Sequence, residues 1–99
     1  MLTKTEALEI VSKKLKEMSP SDDTFVCDDT GTIEKQFGWV FFYNSKTYLE
    51  TGEIRYALAG NGPVMVNKHD GTIEFYGTAK SIEASIEEYE QKLAARRTL

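Results

Sequence analysis

Cys27 and His69 are the only cysteine and the only histidine in this 99-residue chain, and so its only candidates for a nucleophile and a general base. Cysteine catalysis needs the thiol within hydrogen-bond reach of an imidazole, with donors placed for an oxyanion. Cys27 falls in a β-prone run and His69 in a turn, so Cys27 reads as a packing residue and His69 as a solvent-exposed one. One Cys and one His cannot complete a zinc site within the chain. A calcium loop begun at Asp23 would put Phe25 and Cys27 at ligand positions and Asp28 where glycine is required. Asp22-Asp23 and Asp28-Asp29 are adjacent loop pairs, not carboxylates facing each other across a cleft. The stretch Gly60-Asn-Gly-Pro63 has the glycines of a phosphate loop but not its other parts. Pro63 removes an N–H donor where several must converge, a strand follows in place of a helix, and no Lys-Ser/Thr pair is present. It reads as a turn: Gly and Asn supply left-handed backbone, and Pro63 opens a strand where its missing N–H does least harm. No catalytic, metal or cofactor-binding residue is assigned, and no enzyme activity is expected.

What remains is binding. Sixteen Asp and Glu against twelve Lys and Arg leave a net charge of −4, which argues against a nucleic-acid partner, since phosphates call for clustered cations. The acids are unevenly placed. Asp22, Asp23, Asp28, Asp29 and Glu34 lie in a stretch without Lys or Arg, and Glu83, Glu87, Glu88 and Glu90 crowd residues 81–90. Such runs make either a solvated face or a surface that attracts a basic protein. No apolar run approaches the ~18 residues of a membrane span, so no membrane partner is expected. The charged start, Met-Leu-Thr-Lys-Thr-Glu, lacks the apolar core of a secretory signal. With a single cysteine and no internal disulfide, the expectation is a cytoplasmic protein. Residues 1–99 suffice for one domain with one core.

The elements that must position these groups follow from periodicity. Residues 3–18 form an amphipathic helix, with Leu8, Val11, Leu15 and Met18 on one stripe, Thr3 and Glu6 as a capping box, and Ser19-Pro20 as the stop. Residues 24–28 are a short strand, and Asp28-Asp-Thr-Gly31 is turn chemistry with Gly31 supplying positive φ. The most β-prone run is Phe37-Gly-Trp-Val-Phe-Phe-Tyr43. Alternation sends Phe37, Trp39, Phe41 and Tyr43 one way and Val40 and Phe42 the other, so this is a central strand, apolar on both faces, with Trp39 either core or, where exposed, a binding anchor. Pro63-Val-Met-Val-Asn67 and Thr72-Ile-Glu-Phe-Tyr76 are joined by Lys68-His-Asp-Gly71 as a hairpin. Ser81 caps a last helix to about Arg96, with Ile82, Ile86, Tyr89 and Leu93 inward and Arg96 and Arg97 favourable to its dipole.

The expected fold is α+β: an N-terminal helix, a mostly antiparallel sheet of about three to five strands, and a C-terminal helix packed on the sheet. One or both helices are expected to cover a single sheet face. Residues 44–62 are too long for a plain connection and are expected to hold a continuation of the central strand, a turn at Thr51-Gly52 and a short irregular or helical piece around Tyr56–Leu58. An exposed binding loop sits most naturally there.

A series of short motifs occurs in one order: Gly38-Trp39-Val-Phe41, Tyr48-Leu-Glu50-Thr-Gly52, Leu58-Ala-Gly-Asn-Gly-Pro63, Val66-Asn-Lys68 before Asp70-Gly71, Gly77-Thr78-Ala79 and Glu88-Tyr89-Glu90. From about Phe37 to Glu90 the chain resembles the immunity protein 35 family of YrhB-like small bacterial proteins. The resemblance implies an immunity protein of a bacterial polymorphic toxin system, which binds and neutralises a cognate toxin by stoichiometric inhibition. It also implies, as the alternative, a chaperone-like housekeeping protein that binds unfolded clients. It brings no catalytic residues. The partner-binding candidates are the acids Asp22, Asp23, Asp28 and Asp29 with Lys46, Tyr48, Glu50, Glu53 and Arg55 of the long connection. An exposed edge strand can support a homodimer.

Overall fold

The computed structural model describes residues 1–58 and 61–97. Gly60, read above as part of a turn, lies outside the described residues, as do the side chains of Asp29 and Arg97. The first helix, α1 (Lys4–Met18), begins with the expected capping box. Thr3 Oγ1 accepts from the Glu6 N–H at 3.2 Å, and Glu6 Oε1 accepts from the Thr3 N–H at 2.9 Å. Ala7, Val11 and Leu15, four residues apart, are sealed from solvent, with Leu8 beside them. Met18 has the angle of that stripe but sits in the last turn outside the cluster and is exposed, contrary to expectation.

The strands are β1 (Phe25–Cys27), β2 (Ile33–Lys35), β3 (Gly38–Phe41), β4 (Tyr43–Ser45), β5 (Val64–Asn67) and β6 (Ile73–Phe75). Four of them form an antiparallel sheet in the order β2-β3-β5-β6, while β1 and β4 pair as a separate antiparallel ribbon. The expected long central strand is therefore interrupted. After Phe41 the chain passes through Phe42 and leaves the main sheet to pair with β1.

The register fixes two cores. Trp39 faces Val66 and Phe41 faces Val64 across β3 and β5, and these four residues pack with Ala7, Val11 and Leu15 of α1. Val40 faces Met65 one residue out of phase, and this pair points to the opposite side. There it meets Ile86 and Tyr89 of the last helix, α3 (Ile82–Arg97). The two helices thus lie on opposite faces of the sheet, which corrects the expectation of a single covered face. The cause is legible in β3 itself: a strand with apolar groups on both sides leaves two faces to cover. Ser81 starts α3 as expected, its Oγ accepting from the Ala84 N–H at 3.1 Å. Ile82, assigned to the inward stripe, is exposed instead.

Phe37 is a further correction, because it packs with Val40 and Tyr89 and not with Trp39. Gly38 is responsible. Its φ of 148° breaks the alternation, and a Cβ there would lie 2.0 Å from the Val66 carbonyl oxygen. The β5–β6 turn ends, as expected, on Gly71 at φ 73°. Gly31 does not have positive φ; residues Asp29–Gly31 form a 3-10 turn that Asp28 caps. Among the described residues no helix is long and apolar enough to cross a membrane.

Candidate functional site

The structure does not bring the two residues with nucleophile and base chemistry together. Cys27 is half-buried in β1 and packs on the α1 side of the sheet. His69 is exposed in the β5–β6 turn, where its N–H donates to Asn67 Oδ1 at 2.8 Å. The groove beside it, about 320 Å³, is floored by Phe37 and Leu93 on the α3 side. Among the described residues no group of three or more His, Cys, Asp or Glu could hold a metal ion. The segment leading into β5 is a splice and not a cradle. Asn61 Nδ2 donates to the Tyr43 carbonyl at 2.7 Å, and the Pro63 carbonyl accepts from the Tyr76 N–H at 2.9 Å. Gly62 does not have left-handed backbone, which corrects the reason given for it. Gly62 is needed for close approach, since a Cβ there would lie 2.2 Å from the Tyr76 carbonyl oxygen.

The binding candidates fall into two groups at opposite ends of the β1–β4 ribbon. In that ribbon Phe25 faces Ser45 and Cys27 faces Tyr43, so the residues before β1 meet the residues after β4. After β4 comes a helix the sequence patterning did not reveal, α2 (Lys46–Thr51). It ends on Gly52 at φ 73°, where the turn was expected, and a 3-10 turn follows at Ile54–Tyr56. Asp23 links the two sides. Its Oδ1 accepts from the Thr24 N–H at 2.8 Å and from the Thr47 N–H at 3.4 Å. Desolvation pushes the Asp23 carboxyl up, but hydrogen bonds from Thr24 and Thr47 outweigh it and hold its pKa below the usual carboxylate value. Asp22 is exposed beside it, and Lys46, Tyr48, Glu50, Glu53 and Arg55 follow on α2 and the 3-10 turn. Glu53 and Arg55 pair at 3.1 Å, and the guanidinium lies 4.8 Å from the centre of the Tyr56 ring.

Asp28 is at the other end. It caps the Asp29–Gly31 turn, its Oδ1 accepting from the Thr30 N–H at 3.2 Å and the Thr30 hydroxyl at 2.6 Å. Five residue steps through β1 separate it from Asp23, or about 17 Å at ~3.3 Å per residue. The acidic segment is therefore not one patch.

What holds α2 and the turn after it is polar. Ser45 is 1% exposed; its Oγ accepts from the Tyr48 N–H at 3.0 Å and donates to the Tyr56 carbonyl at 2.8 Å. Asn44 Oδ1 accepts from the Leu58 N–H at 2.9 Å. The apolar side chains of this piece belong to neither core: Leu49 is 37% exposed, Tyr56 37% and Ile54 81%. Sequence reasoning left Leu49, Ile54 and Tyr56 out of the candidate site. A signal existed, since these residues fit neither a two-residue nor a 3.6-residue period that would bury them.

Comparison with known proteins agrees with an assignment based on fold and motif order. The uncharacterized protein YrhB of Escherichia coli (strain K12) is 42% identical over 57 residues, 58% of this chain and 61% of that relative. The match thus spans about three fifths of the relative's length. No solved structure matches. The family model of immunity protein 35 matches residues 5–92, from α1 through most of α3, and the chain belongs to that family.

Proposed function

We propose that this chain is an immunity protein that binds a cognate polymorphic toxin and neutralises it by stoichiometric inhibition in the cytoplasm of the producing cell. Residues 1–99 act as one domain. The observation that carries this is membership of the immunity protein 35 family over residues 5–92. The local geometry supports a surface role. Asp22, Asp23, Lys46, Tyr48, Glu50, Glu53 and Arg55 gather at one end of the β1–β4 ribbon, while Asp28 stands at the other. In this mechanism the chain covers the toxin's working surface and performs no chemistry on it. Carboxylates steer the encounter with a basic face, and side chains of the long connection fill the contact.

The test is co-expression with the toxin domain encoded beside this chain. Rescued growth and a one-to-one complex in a pull-down are expected; no rescue with no complex overturns the proposal. The exposed Ile54, Leu49 and Tyr56 also suit the second role, a chaperone-like binder of unfolded clients. That role predicts suppressed aggregation of unrelated denatured proteins at equimolar amounts, which a dedicated inhibitor does not produce.

A further inference from the structure

The apolar side chains of α2 and the 3-10 turn after it are outside both cores for a structural reason. Every described tie between this piece and the ribbon is a polar one. Ser45 and Asn44 grip the backbone of Tyr48, Tyr56 and Leu58, and Asp23 grips that of Thr47. Such ties fix the backbone and leave Ile54 81% exposed, with Leu49 and Tyr56 partly covered at 37% each. The two short helical pieces also pack against each other, so Leu49, Ile54 and Tyr56 are presented together on one module. An aliphatic side chain as open to water as Ile54 forgoes nearly all of its burial energy in the unbound protein. The residues around it are acidic on balance: Asp22, Asp23, Glu50 and Glu53 against Lys46 and Arg55, with Arg55 already paired to Glu53.

Resting on the toxin-binding role proposed above, we infer that Ile54, with Leu49 and Tyr56, is the apolar anchor of the interface. It enters an aliphatic pocket on the toxin that is rimmed by Lys and Arg side chains. Apolar centre and charged rim divide the work. The carboxylates set the rate of encounter, which salt screens, and Ile54 sets the residence time, which salt barely touches. Glu53, drawn toward Arg55, and Arg55, laid over Tyr56, hold the rim flat beside the anchor. Asp28, about 17 Å along the ribbon from Asp23, contributes to the field and not to the contact.

The probe is the toxin domain encoded beside this chain, with binding kinetics measured by surface plasmon resonance. Ile54→Asp is expected to weaken binding by about 30-fold or more, nearly all of it in dissociation. Ile54→Ala should show a smaller loss in the same rate, and Ile82→Asp, an equally polar change on the first turn of α3, should show none. Because Ile54 is 81% exposed, its variants should unfold at the wild-type temperature, so a binding loss is not a folding loss. If wild type binds and rescues while Ile54→Asp does the same within about twofold, the anchor is refuted and the toxin-binding role stands. If wild type neither binds nor rescues, that role fails and the anchor with it. If light scattering shows that the free protein is a dimer which Ile54→Asp makes monomeric, the patch serves a second copy of this chain and the anchor is again refuted.

Discussion

Ser45→Ala tests the claim that α2 and the turn after it are held by hydrogen bonds and not by apolar packing. The hydroxyl makes two bonds at a site 1% exposed, accepting from the Tyr48 N–H and donating to the Tyr56 carbonyl. Removing it takes away the cap of α2, worth about 1 kcal/mol. It also leaves the Tyr56 carbonyl without its donor, worth about 1–3 kcal/mol where the group stays dry. The two are not fully additive, because the loosened module lets water reach both groups, so a total of about 1–3 kcal/mol is expected. For a chain of this size that lowers the midpoint of thermal unfolding by roughly 5–15 °C if the module melts with the rest. If it opens on its own, the loss appears locally instead. Amide hydrogen exchange separates the cases. The Tyr48 and Leu58 amides should exchange at least about tenfold faster, while the Met65 and Val66 amides of β5 should follow only global unfolding. Unchanged exchange at Tyr48 together with a loss below about 0.5 kcal/mol would refute the reasoning.

Other outcomes follow from the same geometry. Gly38→Ala should destabilise by several kcal/mol or prevent folding, because its Cβ would meet the Val66 carbonyl oxygen at 2.0 Å at a φ of 148°; denaturant melts check this. Leu15→Ala and Ile86→Ala should each cost about 2–5 kcal/mol, and a loss below about 1 kcal/mol at either would mean that its helix is misplaced. Val11→Ala with Ile86→Val should add within about 0.5 kcal/mol, since the sheet separates them; strong coupling would put both helices on one face. The Asp23 carboxyl has a folded pKa below its unfolded value, so its contribution is present above the unfolded pKa and is lost as pH falls through the folded one. Asp23→Ala should therefore lose less stability than wild type on acidification below about pH 4, as read from denaturant melts. Association with the toxin should slow as salt rises, while Asp22→Asn flattens that dependence.

The parts of the fold that could be read in the sequence are those where one pattern decides. The capping box at Thr3 and Glu6, the Asp70-Gly71 hairpin turn and the two-sided apolar run at β3 each have a single physical solution, and the structure adopts it. Placement of the helices failed for a different reason. An apolar stripe says that a helix must be covered, but not by which side of a sheet that is apolar on both. Phe37 went to the other face because one residue, Gly38, has backbone freedom that alternation ignores. The β1–β4 ribbon was hidden because pairing across sixteen or more residues leaves no local trace.

The misread segment, residues 44–62, is where local patterning and final structure diverge most. In β3 or α1 each apolar residue is placed by a core that needs it, so periodicity and burial agree. In α2 and the turn after it, the buried Ser45 hydroxyl and the half-buried Asn44 amide do the holding. Ile54, 81% exposed and in neither core, then has no burial periodicity to obey, while Leu49 and Tyr56 are partly covered outside both cores. Side chains that a chain fixes in place and does not use for its own stability are available to another surface, at little ordering cost when it arrives. Sequence rules fail most often at such places, since they encode self-burial. A fastening made of directional bonds also lets the apolar tips vary freely, because replacing Ile54 by another side chain disturbs no core.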